Sequence, residues 1–127
     1  MNGSLVDTNV IIKLLAGDEA SVRLFNSAEN IAVPVTVAGE LFYGAYKSSR
    51  AQENLRLFMD FLSGYAILQI DSEIAKIYGE IKTQLVQKGF SIPENDIWIA
   101  ATAKAHRMTL LTFDSHFSNI DGLQVLS

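Results

Sequence analysis

Apolar residues fall along the chain in short runs that switch between the period of a strand and the period of a helix. A first strand is expected at about residues 3 to 7, running into the acid of "SLVDTN", and "VIIKLL" at 10 to 15 reads as a helix stopped near Gly17. Asp18 can cap a second helix whose apolar side carries Val22, Leu24 and Phe25, and Ile31 to Val33, ended by Pro34, reads as a second strand. Thr36 is placed as the cap of a third helix carrying Glu40, Leu41, Phe42, Tyr43 and Tyr46. The polar Ser48 to Arg50 separates it from a fourth helix with Leu55, Phe58, Phe61 and Leu62. Residues 65 to 70, "YAILQI", form the third strand, with Asp71 at a helix cap. Ile74, Ile77, Tyr78, Ile81 and Leu85 then recur at helical spacing up to Gly89. A helix from about Asn95 to His106, the strand "MTLLTF" at 108 to 113 and "LQVL" at 123 to 126 complete the pattern.

Short apolar strands alternating with helices or helix pairs imply a parallel sheet covered on both faces, a three-layer α/β/α sandwich. At 127 residues and 49% hydrophobic content, with no linker or repeat, the chain is expected to form a single domain over 1–127. Cysteine is absent, which removes a disulfide framework, a thiolate metal site and a thiol nucleophile. Asp7 and Lys13 interrupt the first apolar stretch and no apolar run reaches about 20 residues, so no membrane segment is expected and the cytoplasm is the expected compartment. A formal charge of −4 argues against a protein that coats nucleic acid by counterion release. It leaves a nuclease open, because acids gathered around cations count as negative in the sequence alone.

In an open parallel sheet, ligands bind beyond the carboxyl ends of the strands. Asp7 follows the first strand, Asp114 follows the late strand, Asp96 lies in the first turn of the helix before it, and Glu40 lies early in the third helix. Singly, Asp7 reads as a helix cap, Asp96 as a first-turn acid favoured by the helix dipole, and Asp114 as a turn opener. Glu40 is harder to explain, since "VTVAGELFYGA" surrounds it with apolar neighbours. Two carboxylates about 5 Å apart repel by roughly 3 kcal/mol at an effective dielectric near 20. Converging acids therefore need an offsetting partner, and neither a nearby Lys or Arg nor a Cys or His pair supplies one. An all-oxygen donor set suits a hard cation, Mg²⁺ or Mn²⁺.

"LVDTNVII", "VTVAGELFYGAYKS", "ENDIWIAATAKAH" and "LLTFDSHF", in this order across the whole chain, resemble the PIN-domain ribonucleases, and among them the VapC-type toxins of toxin–antitoxin pairs. The resemblance implies that Asp7, Glu40, Asp96 and Asp114 form an acidic metal site, with Thr8 and Asn9 shaping the first loop and Thr112 at the hydroxyl position before the last acid. It implies a metal-dependent endoribonuclease, an RNA substrate, a cognate antitoxin that blocks the site, and a homodimer. Asp7 and Asp96 are expected as direct ligands. Glu40 and Asp114 are left to bind through water, to complete a second ion's shell, or to accept the proton of the attacking water.

Lys13, Lys47 and Arg50 lie on elements next to the acidic edge and are candidate phosphate contacts, with solvated surface charge as the rival reading. His116 is expected to be a surface helix histidine, with an approach to substrate phosphate as the rival reading; His106 is expected to answer the dipole at a helix end, and Trp98 to belong to the core or its rim, with base stacking as its rival. Phe42, Tyr43, Tyr46, Phe58 and Phe61 supply more aromatic surface than one core face consumes, so an exposed part would mark a partner site. Two other function classes compete. A haloacid dehalogenase-type phosphatase would need a second acid two residues after Asp7, where Asn9 stands, and a non-catalytic RNA-binding module would favour basic residues in place of the four acids.

Overall fold

In the computed structural model, which describes residues 3–127, the elements run β1 (Ser4–Val6), α1 (Thr8–Leu15), α2 (Glu19–Ser27), β2 (Ile31–Pro34), α3 (Val35–Tyr46), α4 (Ala51–Leu62), β3 (Ala66–Leu68), α5 (Ser72–Lys88), α6 (Glu94–His106), β4 (Thr109–Leu111), a 3₁₀ turn at Ser115–Asn119 and β5 (Val125–Leu126). The strands pair in the order β3-β2-β1-β4-β5, every neighbouring pair parallel. With the helices covering the sheet, this is the three-layer α/β/α sandwich expected from the pattern. Leu5 and Val6 of β1, Val33 of β2 and Leu110 and Leu111 of β4 are fully buried, as strands covered on both faces require.

The strand order fixes where chemistry can occur. The chain passes from β1 outward to β2 and β3 on one side, then returns to place β4 and β5 on the other. Beyond the carboxyl ends of β1 and β4 the loops therefore diverge and leave a crevice, the usual ligand position in open α/β sheets. Gly3 sets the near end of β1: its φ of +89° and a Cβ that would meet the Asn30 carbonyl oxygen at 2.5 Å exclude other residues there.

Most caps read from sequence are formed. The Asp18 carboxylate accepts from Ser21 N at 3.0 Å, the Asp71 carboxylate from Ile74 N at 2.9 Å, and Gly89 ends α5 in the left-handed conformation. Thr36 departs from expectation. α3 begins at Val35 directly off Pro34, so Thr36 lies inside the first turn and its hydroxyl caps nothing. β3 is shorter than 65 to 70, because Tyr65 closes a turn on Leu62 and packs against Phe25 and Phe61 instead of entering the ladder. β4 is shorter than 108 to 113, because Met108 N still donates to Ala103 O at the end of α6 and the Thr112 hydroxyl takes Asp114 N into a turn.

The 3₁₀ turn after Asp114 was not legible as an element. It is pinned by Phe117, fully buried, and Ile120, nearly so, whose i,i+3 spacing puts both on one side of such a turn. Phe117→Ala should cost about 3–5 kcal/mol in urea unfolding. Val86→Ala, at a helix position 68% exposed, should stay within about 0.5 kcal/mol.

Candidate metal centre

The site is built where β1 and β4 end. Asp7 terminates β1 and caps α1: its Oδ1 accepts from Thr8 N at 2.8 Å, and its backbone carbonyl accepts from Ile11 N. The cap reading and the ligand reading thus fall on different atoms, because Oδ2 points elsewhere, accepting the buried Thr112 hydroxyl at 2.7 Å. The same Thr112 oxygen accepts Asp114 N at 3.0 Å, so one hydroxyl ties the acid after β1 to the acid after β4. Asn9 adds a second tie, its Oδ1 accepting Phe113 N at 3.3 Å and its Nδ2 donating to Asp7 Oδ2 at 3.4 Å. At the position where a haloacid dehalogenase-type phosphatase places an acid, this chain uses an amide that joins the first turn of α1 to the segment after β4.

Glu40 enters from the second turn of α3 and Asp96 from the first turn of α6. Asp7, Glu40, Asp96 and Asp114 all line one open cleft of about 600 Å³, and among the described residues no Lys or Arg lines it. A separate cavity of about 390 Å³ beside Met108, at the opposite end of β4, is lined by Lys104 and Arg107 and contains no carboxylate.

The cluster is electrostatically strained. Burial raises the Asp7 carboxyl above its ordinary value despite the hydrogen bonds from Thr112 and Thr8, and the charges of Asp96 and Asp114 raise it further. Burial likewise raises Glu40, helped by Asp7 and Asp96. Asp96 is raised by burial against the lowering effect of His116. Glu40 Oε1 and the Thr8 hydroxyl are both buried without a hydrogen bond of full geometry; the two groups lie near each other, and Thr8 lowers the Glu40 carboxyl against the raising effect of burial. An all-oxygen donor set with a poorly satisfied carboxylate oxygen fits a divalent cation, and Asp7, Glu40, Asp96 and Asp114 are the residues that could hold it.

His116 is not the free surface histidine expected. The buried Phe117 beside it turns the imidazole into the cleft, where Nε2 meets the Asp96 carboxylate and Nδ1 lies 2.8 Å from Asp114 Oδ1. The spacing of Phe117 and Ile120 was the one signal that could have placed it. Sequence reading also missed Glu94 at the cleft rim, bound to Lys82 at 2.7 Å. The three candidate phosphate contacts do not line the cleft: Lys13 Nζ lies 5.0 Å from the Phe113 ring centre, Lys47 Nζ 4.8 Å from that of Tyr43, and Arg50 pairs with Glu53 at 3.6 Å. Trp98 stacks on Tyr78 with ring centres 4.0 Å apart, packed against the core as expected. His106 is the exposed last residue of α6.

A carboxyl whose folded-state pKa is raised contributes stability that is fully present below the unfolded value, near pH 4, and lost as pH rises through the folded value. Asp18 and Glu94, shifted downward, act in the opposite direction only below about pH 4.5. The urea midpoint of the metal-free protein should therefore fall as pH rises from about 4.5 to 8, and Glu40→Gln should flatten the fall. A flat or rising wild-type midpoint would contradict the strained cluster.

Comparison with known proteins agrees with this geometry. The PIN domain family profile matches residues 4–123. The chain is 34% identical over 110 residues to "Ribonuclease VapC2" of Haemophilus influenzae, covering 85% of this chain and 83% of that one. It is 29% identical over 123 residues to the "tRNA(fMet)-specific endonuclease VapC" of Shigella flexneri, covering 94% and 93%. Among solved structures, VapBC2 from Rickettsia felis bound to a promoter DNA fragment superposes with a TM-score of 0.88 at 30% identity, over 97% of this chain and 96% of that one. The chain belongs to the PIN-domain family, among the VapC-type ribonuclease toxins of toxin–antitoxin systems.

Proposed function

We propose that this chain is a metal-dependent endoribonuclease acting as one nuclease domain, the toxin of a toxin–antitoxin pair, with Mg²⁺ or Mn²⁺ at the acidic cleft. The observation that carries the reading is the convergence of Asp7, Glu40, Asp96 and Asp114 in a cleft that, among the described residues, no Lys or Arg lines. A bound divalent cation lowers the pKa of water and stabilises charge on an attacked phosphate. Asp7 and Asp96 are the direct ligands in this reading. Thr112 and Asn9 hold the Asp7 carboxylate in place, and the backbone N–H of Thr8 fixes its other oxygen.

Glu40 is the acceptor for the proton released as water attacks phosphorus, and Asp114 completes the carboxylate shell. The bond from phosphorus to the 3′ oxygen breaks, solvent protonates that oxygen, and the products carry 5′-phosphate and 3′-hydroxyl ends. The open cleft suits a single-stranded loop of tRNA or another structured RNA, whose bases are splayed outward. Lys13, Lys47 and Arg50, which lie outside the cleft lining, would meet phosphates flanking it.

Tyr43 and Tyr46 of α3 are 66% and 67% exposed, and Leu57 and Met59 of α4 are exposed as well. The surplus aromatic surface of these helices is the expected seat of the antitoxin, and the toxin is expected to pair as a homodimer in the cytoplasm. Among the described residues no helix is long and apolar enough to cross a membrane.

Cleavage of a structured RNA panel tests the activity. Cutting should require Mg²⁺ or Mn²⁺, stop with EDTA, and drop by about 100-fold or more in Asp7→Asn, on the scale of losing one key electrostatic group. Metal-independent cutting, or full activity in Asp7→Asn, would sink the mechanism.

A further inference from the structure

We propose that His116 is a nitrogen ligand of the cation held by the carboxylate cluster and that it biases the centre toward Mn²⁺ over Mg²⁺. The proposal rests on the metal-dependent reading above and adds a donor of a different chemical class to it.

Three observations support it. First, one ligating atom from each of Asp96, Asp114 and His116 can be chosen so that all lie within 4.8 Å of one another. Ligands on opposite sides of a single ion, each at about 2.1 Å, stand about 4.2 Å apart, so these three could converge on one cation with small side-chain adjustment. Second, both ring nitrogens already face carboxylates, Nε2 toward Asp96 and Nδ1 toward Asp114.

Third, the backbone that carries the ring is held in place. Phe117 anchors the 3₁₀ turn in the core, Asn119 Nδ2 donates to the His116 carbonyl at 3.2 Å, and Thr112 fixes the Asp114 backbone at the start of the turn. The chemical consequence follows from donor type. Mg²⁺ takes oxygen ligands and keeps its waters, whereas along the first transition row, beginning at Mn²⁺, affinity for nitrogen donors rises. An imidazole among carboxylates therefore adds affinity for Mn²⁺ and little for Mg²⁺.

The test measures metal binding without reference to turnover. Calorimetric titration of the intact wild type, His116→Gln and Asp96→Asn with Mn²⁺ and with Mg²⁺ should show Mn²⁺ affinity falling about tenfold or more in His116→Gln, with Mg²⁺ affinity little changed. Equal loss for both ions, no loss, or a gain would overturn the assignment; a gain would identify the imidazole as a plug that cations displace. Pulsed electron paramagnetic resonance of the Mn²⁺-loaded wild type, with ¹⁵N-labelled histidine, supplies a readout independent of any variant. Coupling of Mn²⁺ to ¹⁵N is expected, since the only other histidine, His106, ends α6 while Asp96 lies in its first turn. Asp96-dependent binding without ¹⁵N coupling overturns this inference alone. A wild type that binds neither ion overturns it together with the metal-dependent reading.

Discussion

The site depends on one electrostatic constraint: four carboxylates held close together without a lysine or arginine among them. A folded domain retains only about 5–15 kcal/mol of net stability, and each close pair of like charges consumes a sizeable part of it. The surrounding structure limits the cost in ways visible atom by atom. Thr112 donates to Asp7, Thr8 N donates to its other oxygen, and His116 lies against both Asp96 and Asp114. Glu40 Oε1, buried beside the Thr8 hydroxyl, is left without a hydrogen bond of full geometry. The raised proton affinity of Asp7, Glu40 and Asp96 is the same imbalance in another form.

The fold makes that convergence possible and sets its geometry. Placing β1 centrally, with β2 and β3 on one side and β4 and β5 on the other, brings residues 7 and 114 to adjacent strand ends. Buried apolar side chains on β1 and β4 fix that register, and a shift of one residue would turn Leu5 and Leu110 from one face of the sheet to the other. The pairing is completed on the site side by Asp7 N donating to Leu111 O at 3.0 Å. Core packing and site geometry are therefore one constraint: Phe117 in the core is also what aims His116 at Asp96.

Much of this was legible from local pattern. The strand and helix periods, the caps at Asp18 and Asp71 and the stop at Gly89 are short-range signals with short-range causes, and they appear in the structure where the sequence places them. The four acids could be gathered because a parallel sheet delivers strand ends to one edge. Tertiary competition hid the rest. Thr36 has a capping side chain, yet the chain enters α3 straight from Pro34 and gives it nothing to cap. His116 looked like a solvated residue because its contacts are with residue 96, twenty positions away, and with a neighbour reached only through a 3₁₀ turn. Lys13 lies on α1 and Lys47 and Arg50 lie in the turn between α3 and α4, but each rests on a nearby ring or acid, a choice set by rotamers that residue type does not encode.

The central claim, that a divalent cation completes the acidic cleft, is tested most directly by crystals grown with Mn²⁺ and examined for anomalous scattering. An anomalous peak bounded by Asp7 and Asp96, with Glu40 and Asp114 close enough to bind directly or through water, is the expected result. A cleft with no peak in protein that cleaves RNA in the same Mn²⁺ solution would contradict it.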